Sequence, residues 1–144
     1  MAFLLDTNIV SETVRPKPEP VVLSWLEGQN PSELFLASMT IGELMRGARK
    51  IKEAPRREVY ERWIEDDLTQ QFDGRILAFD DNAARTWGRL MGDGDRKGIT
   101  PATADAQIAA VAIDHSMVLV TRNVKDFQQF DVEIMNPWEG GGDV

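Results

Sequence analysis

The sequence predicts an α/β domain: a central, mostly parallel sheet of about five strands flanked by helices. Two observations carry this. Short apolar runs alternate with longer amphipathic stretches along the whole chain. The runs lack polar alternation, so they read as strands buried on both faces. A chain of 144 residues with 42% hydrophobic content is enough for a single core of ordinary size.

The first strand is Ala2–Leu5, and it runs straight into Asp6-Thr7-Asn8. Helices near 7–13 and 20–28 follow, separated by the stiff linker Arg15-Pro16-Lys17-Pro18-Glu19-Pro20. Strand Leu34–Ala37 precedes a helix over 41–52 with apolar Ile41, Leu44, Met45, Ala48 and Ile51. Thr40-Ile41-Gly42-Glu43 has the spacing of a capping box at its start. A helix over 56–71 comes next. With helix 20–28 it carries Trp25, Leu26, Tyr60, Trp63 and Ile64, which fill the core or meet a partner; core filling is the simpler reading.

Strand Arg75–Ala78 leads to a helix over 81–95, with Gly92-Asp93-Gly94-Asp95 and Lys97-Gly98 marking a loop after it. Thr100-Pro101 reads as an N-cap and first-turn proline for a helix over 102–115. Strands Met117–Val120 and Val132–Met135 complete the sheet. Residues 1–139 form the expected domain, and 140–144 (Gly-Gly-Gly-Asp-Val) a flexible tail.

The chain has no cysteine, which excludes disulfides, thiolate metal sites and a cysteine nucleophile. No apolar run has the roughly 18 residues of a membrane span, and no signal peptide is evident, so a cytoplasmic protein is expected. A net charge of -8 disfavours nonspecific binding to nucleic acid but suits a basic protein partner. The single histidine, His115, ends a helix and offers no nucleophilic triad.

Four acidic or polar sites are candidates for chemistry, each with a structural explanation beside it. Asp6 follows a buried strand, where open α/β sheets bind ligands, but it can equally cap the next helix. Glu43 is explained by the capping box. Asp105 precedes Ile108, Ala109, Ala112 and Ile113 by 3, 4, 7 and 8 residues, so it shares their inward face. An inward carboxylate needs a partner, a proton or a metal. The turn Thr121-Arg122-Asn123-Val124-Lys125-Asp126 again follows a buried strand, and Asn123 or Thr121 can simply cap a helix there. The basic run Arg46, Arg49, Lys50, Lys52, Arg56 and Arg57 is either a solvated face or a phosphate-binding patch.

Together these motifs resemble a PIN domain, and more narrowly the VapC toxins of bacterial toxin–antitoxin pairs in the FitB-like branch. The matching stretches are Leu4-Leu5-Asp6-Thr7-Asn8, Thr40-Ile41-Gly42-Glu43-Leu44, Thr103-Ala104-Asp105-Ala106-Gln107-Ile108-Ala109-Ala110 and Leu119-Val120-Thr121-Arg122-Asn123. Gly74–Asp80 and Asn136-Pro137-Trp138 fit as well. The chain departs from the pattern at Asn123, where many relatives have an acid; Asp126, a helical turn further on, is the candidate replacement.

The resemblance implies an endoribonuclease dependent on Mg2+ or Mn2+, hard ions that suit oxygen ligands. It implies Asp6, Asp105 and Glu43 as metal ligands and Asn123 and Asp126 as further catalytic candidates. Thr7, Asn8 and Thr121 would orient the carboxylates, and Arg46 and Arg49 would meet RNA phosphates. It also implies a VapB-type antitoxin and a homodimer, with no membrane association. Two other classes remain open at this point. A haloacid-dehalogenase-type phosphatase also starts with a strand ending in Asp, but wants a second acid where Asn8 stands. A receiver-like or silent binding module needs a late lysine after a strand, and Lys125 sits in the wrong context.

Overall fold

The structure, a computed structural model, describes residues 1–140. Gly140 closes the last helix, and the rest of the expected tail, 141–144, lies outside the described residues. Five strands form one parallel sheet: β1 (Phe3–Leu5), β2 (Leu34–Ala37), β3 (Ile76–Leu77), β4 (Val118–Val120) and β5 (Ile134–Met135). Their order is β3-β2-β1-β4-β5, so β1 is central and β4 lies beside it, with Leu5 opposite Val120.

Alternation within the strands divides the core in two. Phe3, Leu5, Leu34, Leu36, Val118 and Val120 face one cluster; Leu4, Ala37 and Leu119 face the other. Three helical segments build the first face: α1 (Thr7–Glu12), α3 (Ser38–Arg49) and a π-helical stretch (Trp63–Leu68). The second face is built mainly by α6 (Asp81–Lys97), α7 (Thr103–Asp114) and α8 (Val124–Phe127). Helices α2 (Pro20–Glu27), α4 (Ala54–Arg62), α5 (Thr69–Gln71) and α9 (Pro137–Gly140) complete the chain, with a 3-10 turn at Pro31–Glu33. Ile64 is buried outright, and Trp25, Leu26, Tyr60 and Trp63 pack against the same cluster. Leu4 is 0% exposed and Leu5 2%. Burial of two such side chains contributes about 1.5–3 kcal/mol each, which anchors the backbone that carries Asp6.

Three local expectations need correction. Helix α3 begins at Ser38, directly after β2, so Thr40 and Glu43 lie inside the helix and form no capping box. Thr40 is 0% exposed and its hydroxyl has no hydrogen-bond partner among the described residues, while Ser38 Oγ donates to the Leu77 carbonyl, 3.1 Å. The N-cap of α7 is Ala102, with no side-chain cap, and Thr100 Oγ1 donates to Asp95 instead. Helix α6 runs unbroken through Gly92 and Gly94 to Lys97, where a loop was expected. Gly98 ends it at φ 76°, with the Ile99 N–H returning to the Gly94 carbonyl, 2.8 Å. Gly94 is required by contact: a Cβ there would lie 2.6 Å from Pro101 Cδ and 2.7 Å from the Ile99 carbonyl oxygen.

No helix among the described residues is long and apolar enough to cross a membrane.

Candidate active site

The carboxyl ends of β1 and β4 open into one pocket of about 400 Å3. Asp6, Thr7, Asn8, Glu43, Asp105 and Asn123 all line it. Four segments far apart in sequence therefore meet at the central strands, where the strand order reverses.

Asp6 is 6% exposed; it caps α1 and also lines the pocket. Its Oδ1 accepts the Thr7 N–H at 2.8 Å and caps α1. Its Oδ2 accepts from Thr121 Oγ1 at 2.8 Å and from Asn8 Nδ2 at 3.3 Å, and that group sits in the pocket. Thr121 is 0% exposed; it also receives the Asn123 N–H at 3.0 Å, so one hydroxyl ties β4's end to β1's end. Thr7 Oγ1 donates to Glu43 Oε1, fixing a glutamate from α3 against the start of α1. Burial is the main force raising the Asp6 pKa; bonds from Thr121 and the Thr7 N–H oppose it, and the charges of Glu43 and Asp126 add to it.

Asp105 is half-buried in the first turn of α7, above buried Ile108, Ala109 and Ala112. Its pKa is pushed up to about 6, by burial first and then by the charges of Asp126, Asp6 and Glu43. No cation is ion-paired to Asp6, Glu43, Asp105 or Asp126 among the described residues. Asn123 lines the pocket. Asp126, in the first turn of α8, does not line it but acts on Asp105 through its charge.

The donor set suits a hard divalent cation. It is made of oxygens alone, and its carboxylates repel one another with no cation ion-paired to them among the described residues. Among the described residues no three acidic or imidazole side chains are already gathered into a closed ligand set. Glu43 is held by Thr7, so its approach to an ion requires a side-chain adjustment.

Arg46 and Arg49 stand apart from the pocket. Arg46 is exposed on α3, and Arg49 pairs with Glu61 at 2.8 Å. His115 ends α7, ten residues beyond Asp105 and so roughly 15 Å along the helix.

Sequence reasoning missed five lining residues: Ser11, Glu12, Arg15, Arg122 and Trp138. Glu12 is 3% exposed; its Oε2 accepts the Glu19 N–H at 2.8 Å and its Oε1 meets Arg15 at 3.2 Å. The Glu19 N–H chiefly holds its pKa below the usual range, helped by Arg15 and Arg122. The available signal was its place just before a proline-rich linker that needs anchoring. Arg122 and Trp138 were visible only as members of matched stretches, with no role assigned, because stacking between α9 and the β4 turn is a tertiary contact.

A doubly covered parallel sheet with acids gathered at the ends of its central strands defines the class. A PIN domain family model matches residues 3–133, and the chain belongs to the PIN domain family. Within it, the chain falls in the FitB-like branch of the VapC toxins, on three similarities. The VapC ribonuclease Y4jK of Sinorhizobium fredii is 33% identical over 95% of this chain and 98% of its own length. Toxin FitB of Neisseria gonorrhoeae is 34% identical over 94% of this chain and 98% of its own length. The crystal structure of FitAcB from Neisseria gonorrhoeae matches at a TM-score of 0.89 and 34% identity, covering 95% of this chain and 99% of that one. Nucleases of the PIN family use divalent metal.

Proposed function

We propose that this protein is the toxin of a type II toxin–antitoxin pair and acts in the cytoplasm as a divalent-metal-dependent endoribonuclease. One observation carries the reading: Asp6, Glu43 and Asp105, from three separate segments, line a single pocket with no cation paired to them among the described residues. The named activity of its ribonuclease relatives supports it. Toxin–antitoxin complexes among the similar structures support a VapB-type antitoxin as partner, and the family supports a homodimer.

Asp6 and Asp105 would be the principal ligands of Mg2+ or Mn2+, with Glu43 reached directly or through water and Asn123 offering a neutral carbonyl oxygen. Such an ion, when bound, lowers the pKa of water and offsets charge that develops on a phosphate. The chain's own residues supply the rest. Thr121 and Asn8 hold Asp6 Oδ2 in one orientation, and Thr7 orients Glu43. Asp126 keeps the pocket negative at the position where Asn123 adds no charge.

The test is cleavage of RNA by purified Asp6→Asn and Asp105→Asn variants, with Mg2+ or with EDTA, and with folding checked by circular dichroism. Loss of Mg2+-dependent cleavage in folded variants is the expected result. Wild-type activity in either folded variant overturns the assignment.

A further inference from the structure

Building on the ribonuclease reading above, we infer that RNA crosses the acidic pocket held by two unpaired arginines, Arg122 and Arg56. The geometry rests on a groove rather than one pocket. The acidic pocket adjoins a second one, of about 240 Å3, and both are lined by Thr7, Ser11 and Glu43. Arg56 and Tyr60 line the second pocket only; Arg122 and Trp138 line the first only. The shared residues join the two pockets into one groove, which the acids line together with Arg122 and Arg56; Arg15 also lines it but is paired to Glu12.

Both arginines are exposed and neither forms an ion pair among the described residues. That sets them apart from Arg15, Arg49, Arg85 and Arg96, which all pair with carboxylates. The Arg122 guanidinium stacks over Trp138 at 5.1 Å from the ring centroid. Stacking fixes the plane of the group yet uses none of its in-plane N–H donors, so the whole fork stays open to phosphate oxygens. The Arg122 backbone N–H donates to Asn8 Oδ1 at 3.2 Å, and Asn8 also touches Asp6. The arginine is thereby mounted on the same scaffold as the leading acid. In a chain of net charge -8, a polyanion is repelled overall, and only local cations of this kind can hold it over the acids.

The experiment measures binding of a short fluorescein-labelled single-stranded RNA to the full chain carrying Asp105→Asn, in Mg2+, across a series of salt concentrations. Adding Arg122→Gln or Arg56→Gln should each weaken binding about five-fold and reduce the salt slope by about 0.7, the value for one lost phosphate contact on a single strand. The doubly substituted chain should lose both increments, and Arg96→Gln, outside the groove, should change neither. A misfolding effect would lower affinity without changing the slope, so an unaltered slope in either variant overturns the inference. If wild-type protein cleaves no RNA at all, the ribonuclease reading falls instead. If the substitutions weaken antitoxin binding and leave RNA binding unchanged, the groove belongs to the partner and the inference is wrong.

Discussion

Replacing Thr121 with valine removes one oxygen from the centre of the site while keeping its shape. The hydroxyl is fully buried and donates to Asp6 Oδ2 at 2.8 Å. A hydrogen bond to a charged group contributes about 1.5–3 kcal/mol. The two other bonds lost, from the Asn123 N–H and from Asn8 Nδ2 at 3.3 Å, cost little: Asn123 is exposed, so water can replace the acceptor, and Asn8 keeps its bond to Asp6 Oδ2. The metal-free protein should therefore lose about 2 kcal/mol at neutral pH, roughly 30-fold in the folding equilibrium. For a chain of this size that is about 4–8 °C in Tm. The Thr121 bond also opposes the rise in the Asp6 pKa, so its loss raises that pKa further. The deficit should shrink as pH falls and Asp6 takes up its proton. Urea unfolding in EDTA at several pH values measures this, and calorimetry with Mn2+ should show affinity reduced by about 10- to 100-fold. Unfolding curves that coincide with wild type at pH 7, together with unchanged Mn2+ affinity, would refute the view that Thr121 holds Asp6 in place.

Other outcomes follow from the same geometry. Metal-free stability should fall as pH rises from about 4 toward the Asp105 value of about 6, since both raised carboxylates bind protons better in the folded state; unfolding in EDTA across that range checks the sign. Added Mn2+ should remove most of that slope, because it favours the ionised form. Asp126→Ala should lower the Asp105 pKa by removing its largest charge neighbour, which NMR titration of the carboxyl groups can follow. If Asp126 also replaces the acid missing at Asn123, calorimetry on the same variant should show weaker Mn2+ binding; an unchanged isotherm would limit Asp126 to an electrostatic role. Gly94→Ala should destabilise by about 1–3 kcal/mol through overpacking, whereas Gly92→Ala, with nothing within 4 Å of the added Cβ, should be neutral or slightly stabilising.

The sheet was legible because its signal is local. Leu34–Ala37 matches the strand found there, and the other strands differ from expectation only by fraying of their ends. Asp6 and Asp105 were legible for a related reason: a strand end and a helix face are both readable from spacing. Glu43 was legible as a ligand candidate only through the resemblance, because its local spacing pointed to a cap. Its T-x-x-E spacing has no capping role, because β2 turns directly into α3 and carries Thr40 into the core. Helix α6 was cut short because its glycines weaken helix propensity, and the contact with Pro101 and Ile99 that favours a bare Cα at Gly94 comes from residues further along the chain. Arg122 and Trp138 escaped as a pair since sixteen positions separate them and only the fold stacks one on the other.

The bond between Thr121 and Asp6 joins residues 115 positions apart. Its consequence concerns timing. While the chain is being made beside the messenger that encodes it, Asp6 and Glu43 emerge early, but Asp105 and the Thr121 anchor come only after two thirds of the protein has been synthesised. Strand β4 must then insert next to β1 before the pocket exists. A protein that cuts RNA thus lacks its complete site for most of its synthesis, and neither fragment of a chain broken between Glu43 and Asp105 carries all the acids of the pocket.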